Sequence, residues 1–242
     1  MKKIVTPYKN SSLSKKEQIV KMFDKISKKY DFLNHFLSLG LDIYWRNQLV
    51  YHVKKQQPKN ILDVATGTCD LAIALIKAKP NQIIGLDISK KMLEIGSEKL
   101  IKKSLNHIIK LQLGDSEKLP FRKDEFDAVT VSFGLRNLES LEKGLSEIYR
   151  VLKPKGKLYI LEFSKPKIFI FSKIYQFYFK YVVPMLGKIF SKDSHAYNYL
   201  HESVDKFPYG FKLIKIIRNA NYIKIKNYTL SFGVASIYIA EK

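Results

Sequence analysis

The chain has 242 residues, of which 46% are hydrophobic and 27% are charged. This balance is ordinary for a globular protein, and it excludes a disordered chain and a collagen-like fibre. Cys69 is the single cysteine, which excludes an internal disulfide and a cysteine-based structural zinc site. No run of about 18 apolar residues predicts a membrane-spanning helix, and residues 1–14 lack the apolar centre of a secretory signal. We therefore expect a cytoplasmic protein.

The chain is strongly basic, with 43 Lys and Arg residues against 22 Asp and Glu residues and a formal net charge of +21. Arginine is the better bidentate partner for phosphates and bases, yet only five of the basic residues are arginines. The lysines are spread over the whole chain. This pattern favours attraction to anionic lipid headgroups, at the inner face of a membrane, over nucleic-acid binding.

Two helices are predicted at the N-terminus. Ser14 and Glu17 form a capping-box pattern, and apolar residues then recur at helical spacing up to residue 29. A second helix is predicted over residues 42–54, after a loop around Gly40. We interpret residues 1–57 as a helical cap.

Strands and helices alternate from residue 60 onward. Such an alternation is typical of a parallel sheet with helices on both faces, and we assign residues 58–163 to a cofactor-binding core. The predicted strands cover residues 61–64, 83–86, 108–113, 126–133 and 157–163, and the predicted helices cover residues 71–77, 89–103 and 139–151.

The alternation stops after residue 163. Residues 164–208 form an insertion on the substrate side, and its stretch 168–183 is the most aromatic part of the chain. A helix over 209–219 and two strands over 222–230 and 235–240 follow, and the strands are predicted to form a β-hairpin at the sheet edge. We expect a single domain over residues 1–242.

Polar residues end four of the predicted strands, at the edge where open α/β sheets bind ligands. After the first strand, a glycine-containing turn offers backbone N–H groups to a negative group. Cys69 replaces the second glycine of a dinucleotide fingerprint, so a carboxylate-bearing ligand suits this turn better than a pyrophosphate. These strand-end residues are Thr68, Asp87, Asp115, Ser116 and Ser132.

These residues, in this order along the chain, predict a binding site for one kind of ligand. Asp87, at the end of the second strand, can accept both hydroxyls of a ribose, and Asp115 with Ser116 can bind an adenine edge. A helix cap at Asp87 and a turn at Asp115 are the structural alternatives. Together with the first turn, these positions predict a site for an adenosine that carries an amino-acid tail, namely S-adenosylmethionine.

Longer strings give the chain a family resemblance. They read Leu-Asp-Val-Ala-Thr-Gly-Thr at 62–68, Ser-Phe-Gly-Leu-Arg-Asn at 132–137 and Leu-Glu-Phe-Ser-Lys-Pro at 161–166. With these strings the chain resembles the ubiquinone/menaquinone biosynthesis C-methyltransferase family, from about residue 16 to residue 242. The resemblance implies a Rossmann-like class I methyltransferase fold, with a mostly parallel seven-stranded sheet, an antiparallel edge strand and helices on both faces.

The same resemblance implies cofactor contacts at Thr68, Asp87, Asp115, Ser116 and Ser132. Many family members have glycine where this chain has Cys69. We expect altered packing beside the methionine tail of the cofactor at that position, rather than lost binding.

The resemblance also implies methyl transfer to a ring carbon of a reduced polyprenyl quinone precursor. It favours demethylmenaquinol, which becomes menaquinol, and the ubiquinone precursor 2-polyprenyl-6-methoxy-1,4-benzoquinol is the alternative. Arg136 and Asn137 are the candidate catalytic residues. Arginine does not deprotonate in proteins, so Arg136 would stabilise a phenolate or polarise a water that Asn137 orients. A purely structural ion pair is the alternative role of Arg136.

Several alternatives stay open at this point. Further candidate site members are Tyr30, Asp31, His195 and Tyr197, and no metal site is expected. The aromatic stretch 168–183 could line a prenyl channel, lie at a bilayer surface, or form core or homodimer contacts. Two other functions compete with quinol methylation, namely RNA methylation, suggested by the charge, and a non-catalytic role in a quinone-synthesis assembly.

Overall fold

A seven-stranded sheet forms the centre of the computed structural model, which describes residues 5–166, 173, 177–182 and 194–242. Its strands are β1 (Asn60–Val64), β2 (Gln82–Asp87), β3 (Ile109–Leu113), β4 (Phe126–Ser132), β5 (Leu152–Phe163), β6 (Ile223–Leu230) and β7 (Ala235–Glu241). Their order is β3-β2-β1-β4-β5-β7-β6. Strands β1 to β5 run parallel, whereas β7 pairs antiparallel with both β5 and β6. The predicted sheet and its closing hairpin are confirmed.

Helices cover both faces of this sheet. They are α1 (Lys15–Leu37), α2 (Leu41–Lys54), α3 (Asp70–Leu75), α4 (Lys90–Lys102), α5 (Leu141–Val151), α6 (Ser194–Lys206) and α7 (Phe211–Asn219). Ile61 of β1 belongs to a core with Leu49 of α2 and Leu75 of α3, while the next residue, Leu62, belongs to a second core with Ile148 of α5. Successive strand residues face opposite sides of a sheet, so a strand buried on both sides needs apolar residues throughout.

The predicted first helix is correct at its start and too short at its end. Ser14 caps α1, and the reciprocal hydrogen bonds with Glu17 that define a capping box are both present. The helix continues to Leu37, eight residues past the predicted end at residue 29. The second half continues the helical spacing of apolar residues with Tyr30, Leu33 and Leu37, and the buried Leu33 packs in a cluster with residues of α6.

Helix α6 was not predicted and lies inside the aromatic insertion. Ala196 and Tyr199 are buried on one face of α6, where they pack against Met22 and Leu33 of α1. Most of the aromatic stretch 168–183 lies outside the described residues, apart from residue 173 and a π-helical turn at Tyr178–Val182. Among the residues that the structure describes, no helix is long and apolar enough to cross a membrane.

Cys69 packs against helix α4 at Gly96. Cys69 has a φ of 70°, in the left-handed region that favours glycine. A Cβ added to Gly96 of α4 would lie 2.4 Å from the Cys69 Sγ, so the thiol occupies the space that a side chain at residue 96 would fill. Burial raises the pKa of this thiol to about 12, so it stays protonated. The Cys69 side chain therefore packs against α4.

We predict that Gly96→Ala destabilises the fold although alanine is the better helix former. Overpacking costs about 1–3 kcal/mol, which outweighs the gain of up to ~1 kcal/mol in helix propensity. Cys69→Gly in the same chain removes the clash and suits the left-handed backbone. Urea unfolding of the wild type, both single variants and the double variant measures the coupling. Strictly additive effects would contradict this packing.

Candidate functional site

Two adjoining clefts open at the carboxyl ends of β1, β2 and β4. We call them the outer and the inner cleft. The walls of the outer cleft include Ile19, Phe23, Asp87, Asp115, Ser116, Ser132 and Asn137. The walls of the inner cleft include Asn34, Asp63, Thr68, Ser132 and Arg136. Tyr30, Gly67 and Ser132 belong to both clefts.

A third, apolar pocket lies between α1 and α6. It is lined by Met22, Phe23, Ile26, Tyr30, Leu33, Asn34, Arg136, Asn137, Ala196, Tyr199 and Leu200. Because Arg136 and Tyr30 line both the inner cleft and this apolar pocket, the two spaces meet at these side chains.

Asp87 is buried at the floor of the outer cleft. The backbone N–H groups of Gly67 and Ser89 each donate to one of its carboxylate oxygens, both at 2.8 Å. A carboxylate has about four acceptor positions, so each oxygen can accept one more donor from the cleft. The cap of α4 is Ser89, whose hydroxyl accepts from the Met92 N–H at 3.2 Å. Asp87 is therefore not the N-cap itself, although its carboxylate accepts from the backbone N–H of the N-cap residue.

Asp115 and Ser116 also line the outer cleft. The Asp115 carboxylate accepts from Lys16 of α1 at 2.6 Å and from the Glu117 N–H at 2.8 Å. The second contact is the turn role that the sequence left as an alternative. Ser116 is buried. The structure thus brings both residues to the cleft, with the Asp115 side chain engaged in holding α1.

Thr68 belongs to a charged network that joins α1, α3 and α4. Its hydroxyl donates to Asp31 of α1 and accepts from Lys99 of α4 at 3.1 Å. Lys99 also pairs with Asp31 and with Asp70 of α3, each at 2.6 Å. Lys99 was not identified from the sequence, because nothing in its local pattern distinguishes it from the other lysines.

Helix α1 is tied across the strand ends at several places, which include the Lys15 ammonium group on the Arg136 and Leu138 carbonyls. In addition to the contacts of Lys16 and Asp31, Asp24 accepts from the Ser89 hydroxyl at 2.6 Å. These contacts hold α1 over the outer cleft, whose wall includes Ile19 and Phe23 of this helix. Of the other sequence candidates, His195 lies in a separate polar groove with Tyr8 and Lys9, and the side chain of Tyr197 lies outside the described residues.

Arg136 forms a buried ion pair with Glu162 of β5. The Arg136 Nη1 donates to a Glu162 carboxylate oxygen at 2.9 Å and to the carbonyl of Phe133. The Arg136 side chain is 8% exposed and that of Glu162 is 1% exposed. Burial raises the pKa of Glu162, while the facing guanidinium acts in the opposite direction. The structural ion pair is therefore present, in a side chain that also lines the inner cleft.

Three buried polar atoms around this pair have no hydrogen-bond partner among the described residues. They are Arg136 Nε, the second carboxylate oxygen of Glu162, and the Ser132 hydroxyl. Buried polar atoms normally have partners, so this group is suited to a bound polar ligand or water. Beside them, Asn137 accepts from the Tyr199 hydroxyl at 3.2 Å, which fixes the Asn137 carboxamide at the mouth of the apolar pocket.

Asp63 and Glu162 were missed as site residues by the sequence analysis. Both are acidic residues inside apolar strands, a pattern that signals a buried partner. The Asp63 carboxylate accepts from the Thr66 and Thr130 hydroxyls at 2.6 Å each. Burial raises the pKa of Asp63 to about 6, and this residue lines the inner cleft.

Solved structures with similar folds include proteins described as methyltransferases. One is a possible histamine N-methyltransferase from Thermotoga maritima, described as dependent on S-adenosylmethionine, with a TM-score of 0.61 and 18% identity over 93% of this chain and 99% of that chain. At this identity the similarity shows the fold alone, which agrees with the predicted class.

Curated relatives match nearly the whole chain. A demethylmenaquinone methyltransferase from Bacteroides fragilis is 44% identical over 98% of this chain and 97% of its own length. The ubiquinone/menaquinone biosynthesis C-methyltransferase UbiE from Geotalea daltonii is 41% identical over 94% of this chain and 97% of its own length. The model of the ubiE/COQ5 methyltransferase family matches residues 11–242. This chain belongs to the ubiE/COQ5 methyltransferase family.

Proposed function

We propose that this protein transfers a methyl group from S-adenosylmethionine to the ring of demethylmenaquinol and so produces menaquinol. The observation that carries the proposal is the position of Arg136, a buried guanidinium that lines both the polar inner cleft and the apolar pocket. A quinol with a polyprenyl tail has the same two parts, a polar ring and an apolar chain. The names of the relatives from Bacteroides fragilis and Geotalea daltonii support the same substrate class.

The residues of the two clefts fit the cofactor. Asp87 has acceptor capacity for the ribose hydroxyls, and Ser116 with the backbone at Asp115 suits the adenine edge. The turn at Gly67 and Thr68 suits the amino-acid tail, and the unpartnered Ser132 hydroxyl lies between the clefts. When bound, S-adenosylmethionine supplies an electrophilic methyl group on a cationic sulfur.

Methylation of a quinol carbon needs charge in the ring. As the hydroxyl next to the acceptor carbon loses its proton, electron density moves into the ring, and the ring carbon takes the methyl group from sulfur. The carbon then releases its own hydrogen as a proton, and the oxygen is protonated again. Arg136 stabilises the phenolate, and Asn137 orients the hydroxyl or the water that accepts its proton.

Two further residues support this chemistry. Glu162 holds the Arg136 guanidinium in place through their ion pair at 2.9 Å. Burial raises the pKa of the Tyr30 phenol, so Tyr30 stays protonated and can donate a hydrogen bond to the phenolate oxygen. The prenyl tail occupies the apolar pocket between α1 and α6. Because such a tail resides in lipid, we infer that the protein acts in peripheral contact with a membrane.

The substrate assignment predicts which molecule becomes labelled. Purified protein is incubated with S-adenosylmethionine labelled in its methyl group and with demethylmenaquinol, the ubiquinone precursor, or bulk RNA. We expect label in menaquinol. Label in RNA alone would favour the competing nucleic-acid function. Absence of label from both quinols, in protein shown by calorimetry to bind the cofactor, would reject the proposal.

We predict that Glu162→Gln lowers kcat by about 10- to 100-fold, because hydrogen bonds to charged groups contribute about 1.5–3 kcal/mol. The dissociation constant for S-adenosylmethionine should stay within about twofold, since Glu162 does not line the outer cleft. Single-turnover kinetics and calorimetry measure the two quantities. Glu241→Gln, which removes an exposed ion pair with Lys224, is the matched control. Equal losses in affinity and kcat would contradict the positioning role.

We also predict that cofactor selectivity depends on pH. Asp63 ionises as the pH rises through about 6, and its carboxylate attracts the cationic sulfur of S-adenosylmethionine but not the neutral sulfur of S-adenosylhomocysteine. The affinity ratio of the two ligands should therefore rise several-fold between pH 5 and pH 7 and then level off. Asp63→Asn should flatten this ratio. Calorimetric titrations with both ligands provide the measurement, and a ratio independent of pH in the wild type would contradict it.

A further inference from the structure

Apolar side chains are exposed at the turn that joins α1 and α2. Leu39 is 79% exposed, Ile43 49% and Tyr44 47%, and Leu41 is also exposed. We call these four residues the apolar tip. Leu39 has a φ of 52°, which is a strained conformation for a residue other than glycine. None of the described residues buries these four side chains, so the apolar tip is a candidate contact surface.

The exposed face of α1 changes from basic to apolar as the helix approaches this tip. Its exposed positions carry Lys21, Lys25, Lys28 and Lys29, and then Phe32 and Phe36. The two phenylalanine rings stack on each other at 5.8 Å and are 56% and 41% exposed. With a rise of 1.5 Å per residue, Lys28 lies about 14 Å along the helix axis from Leu37, the last residue of α1.

The two acidic residues in the middle of the same helix point the other way. Asp24 contacts Ser89, and Asp31 contacts Thr68 and Lys99, all at the strand ends of the sheet. Between residues 21 and 31, charge is therefore divided across α1, with the carboxylates toward the strand ends and the lysine side chains on the exposed face. A surface with an apolar end and a lysine belt behind it complements an anionic bilayer, whose acyl boundary accepts the apolar end while its headgroups attract the lysines.

The same turn also forms part of the inner cleft. Ser38 and Asp42 alternate with the tip residues along the chain, and both line the cleft wall together with Arg136. The apolar tip and the wall of the inner cleft are therefore adjacent, and a lipid that leaves the bilayer at the tip is already next to the cleft.

From these observations we propose that the apolar tip and the lysines of α1 dock this protein on anionic lipid bilayers. The proposal rests on the proposed function, because a substrate that resides in the bilayer requires the protein to reach the membrane surface. It names the surface that approaches the membrane, and that surface is the α1–α2 turn.

Vesicle co-sedimentation tests the docking surface. The full chain should bind vesicles of phosphatidylcholine mixed with phosphatidylglycerol, bind phosphatidylcholine alone weakly, and dissociate as salt is added. The variant Leu39→Asn/Ile43→Gln should lose at least about tenfold in affinity for the mixed vesicles, since two apolar side chains no longer insert. Asparagine tolerates the left-handed backbone, so the fold is retained. Phe211→Gln/Ile223→Gln alters two equally exposed apolar residues elsewhere and should bind like the wild type.

The lysines are tested in the same way. Lys25→Glu/Lys28→Glu should weaken binding to the mixed vesicles by about tenfold or more, whereas Lys212→Glu/Lys215→Glu, on the exposed side of α7, makes the same charge change and should have a much smaller effect. Unchanged vesicle binding by the tip and α1 variants would overturn the proposal. A concentration-dependent dimer that the tip variant abolishes, with vesicle binding intact, would also overturn it and would assign the tip to a second copy of this chain.

A water-soluble demethylquinol with a short tail separates the docking from the chemistry. The tip variant should methylate this substrate at the wild-type rate and should be slower only on quinol embedded in vesicles. A wild-type protein that binds vesicles but methylates neither quinol would reject the proposed function while leaving the docking surface supported. A tip variant that is equally fast on both quinols would overturn the docking proposal.

Discussion

Three carboxylates are buried at one edge of a parallel sheet, and the rest of the site follows from how each of them is compensated. Asp63, Asp87 and Glu162 stand at or near the carboxyl ends of β1, β2 and β5. Burial of a charge is costly unless donors surround it. Asp63 accepts hydrogen bonds from hydroxyl groups, Asp87 accepts them from backbone N–H groups, and Glu162 pairs with a guanidinium. The hydrogen-bond donors to Asp87 and Glu162 include the Gly67 N–H and the Arg136 guanidinium, so compensation of these buried carboxylates also positions both groups at the inner cleft.

Helix α1 converts this open sheet edge into an enclosed site. Its carboxylates bind the strand-end turns and its apolar residues pack on α6. Residues of the same helix line the outer and inner clefts and also the apolar pocket. A single amphipathic element thus separates a polar space from an apolar one, with Arg136 and Tyr30 where they meet. This division suits a substrate that is polar at its ring and apolar along its tail.

Much of the fold and part of the site could be predicted from local sequence. The strands were recognised because apolar β-branched runs and turn residues are local signals, and Thr68, Asp87, Asp115, Ser116 and Ser132 follow those strands directly. Helix α1 was predicted too short and α6 was missed, although apolar residues at helical spacing mark both segments: Tyr30, Leu33 and Leu37 in α1, and Ala196, Tyr199, Leu200 and Val204 in α6. Glu162 was not identified as a site residue because an acidic residue in an apolar strand indicates a buried partner but does not show which residue that partner is.

The sequence by itself determined the order of the elements and the residues that end the strands, since hydrophobic periodicity and turn chemistry act over a few neighbouring residues. Tertiary structure alone decided which distant side chains meet. The pairing of Arg136 with Glu162, the network of Lys99 with Asp31 and Asp70, and the fit of Cys69 on Gly96 all join residues that lie 26 to 68 positions apart. Such contacts depend on how the strands and helices pack, and no local pattern along the chain encodes that geometry.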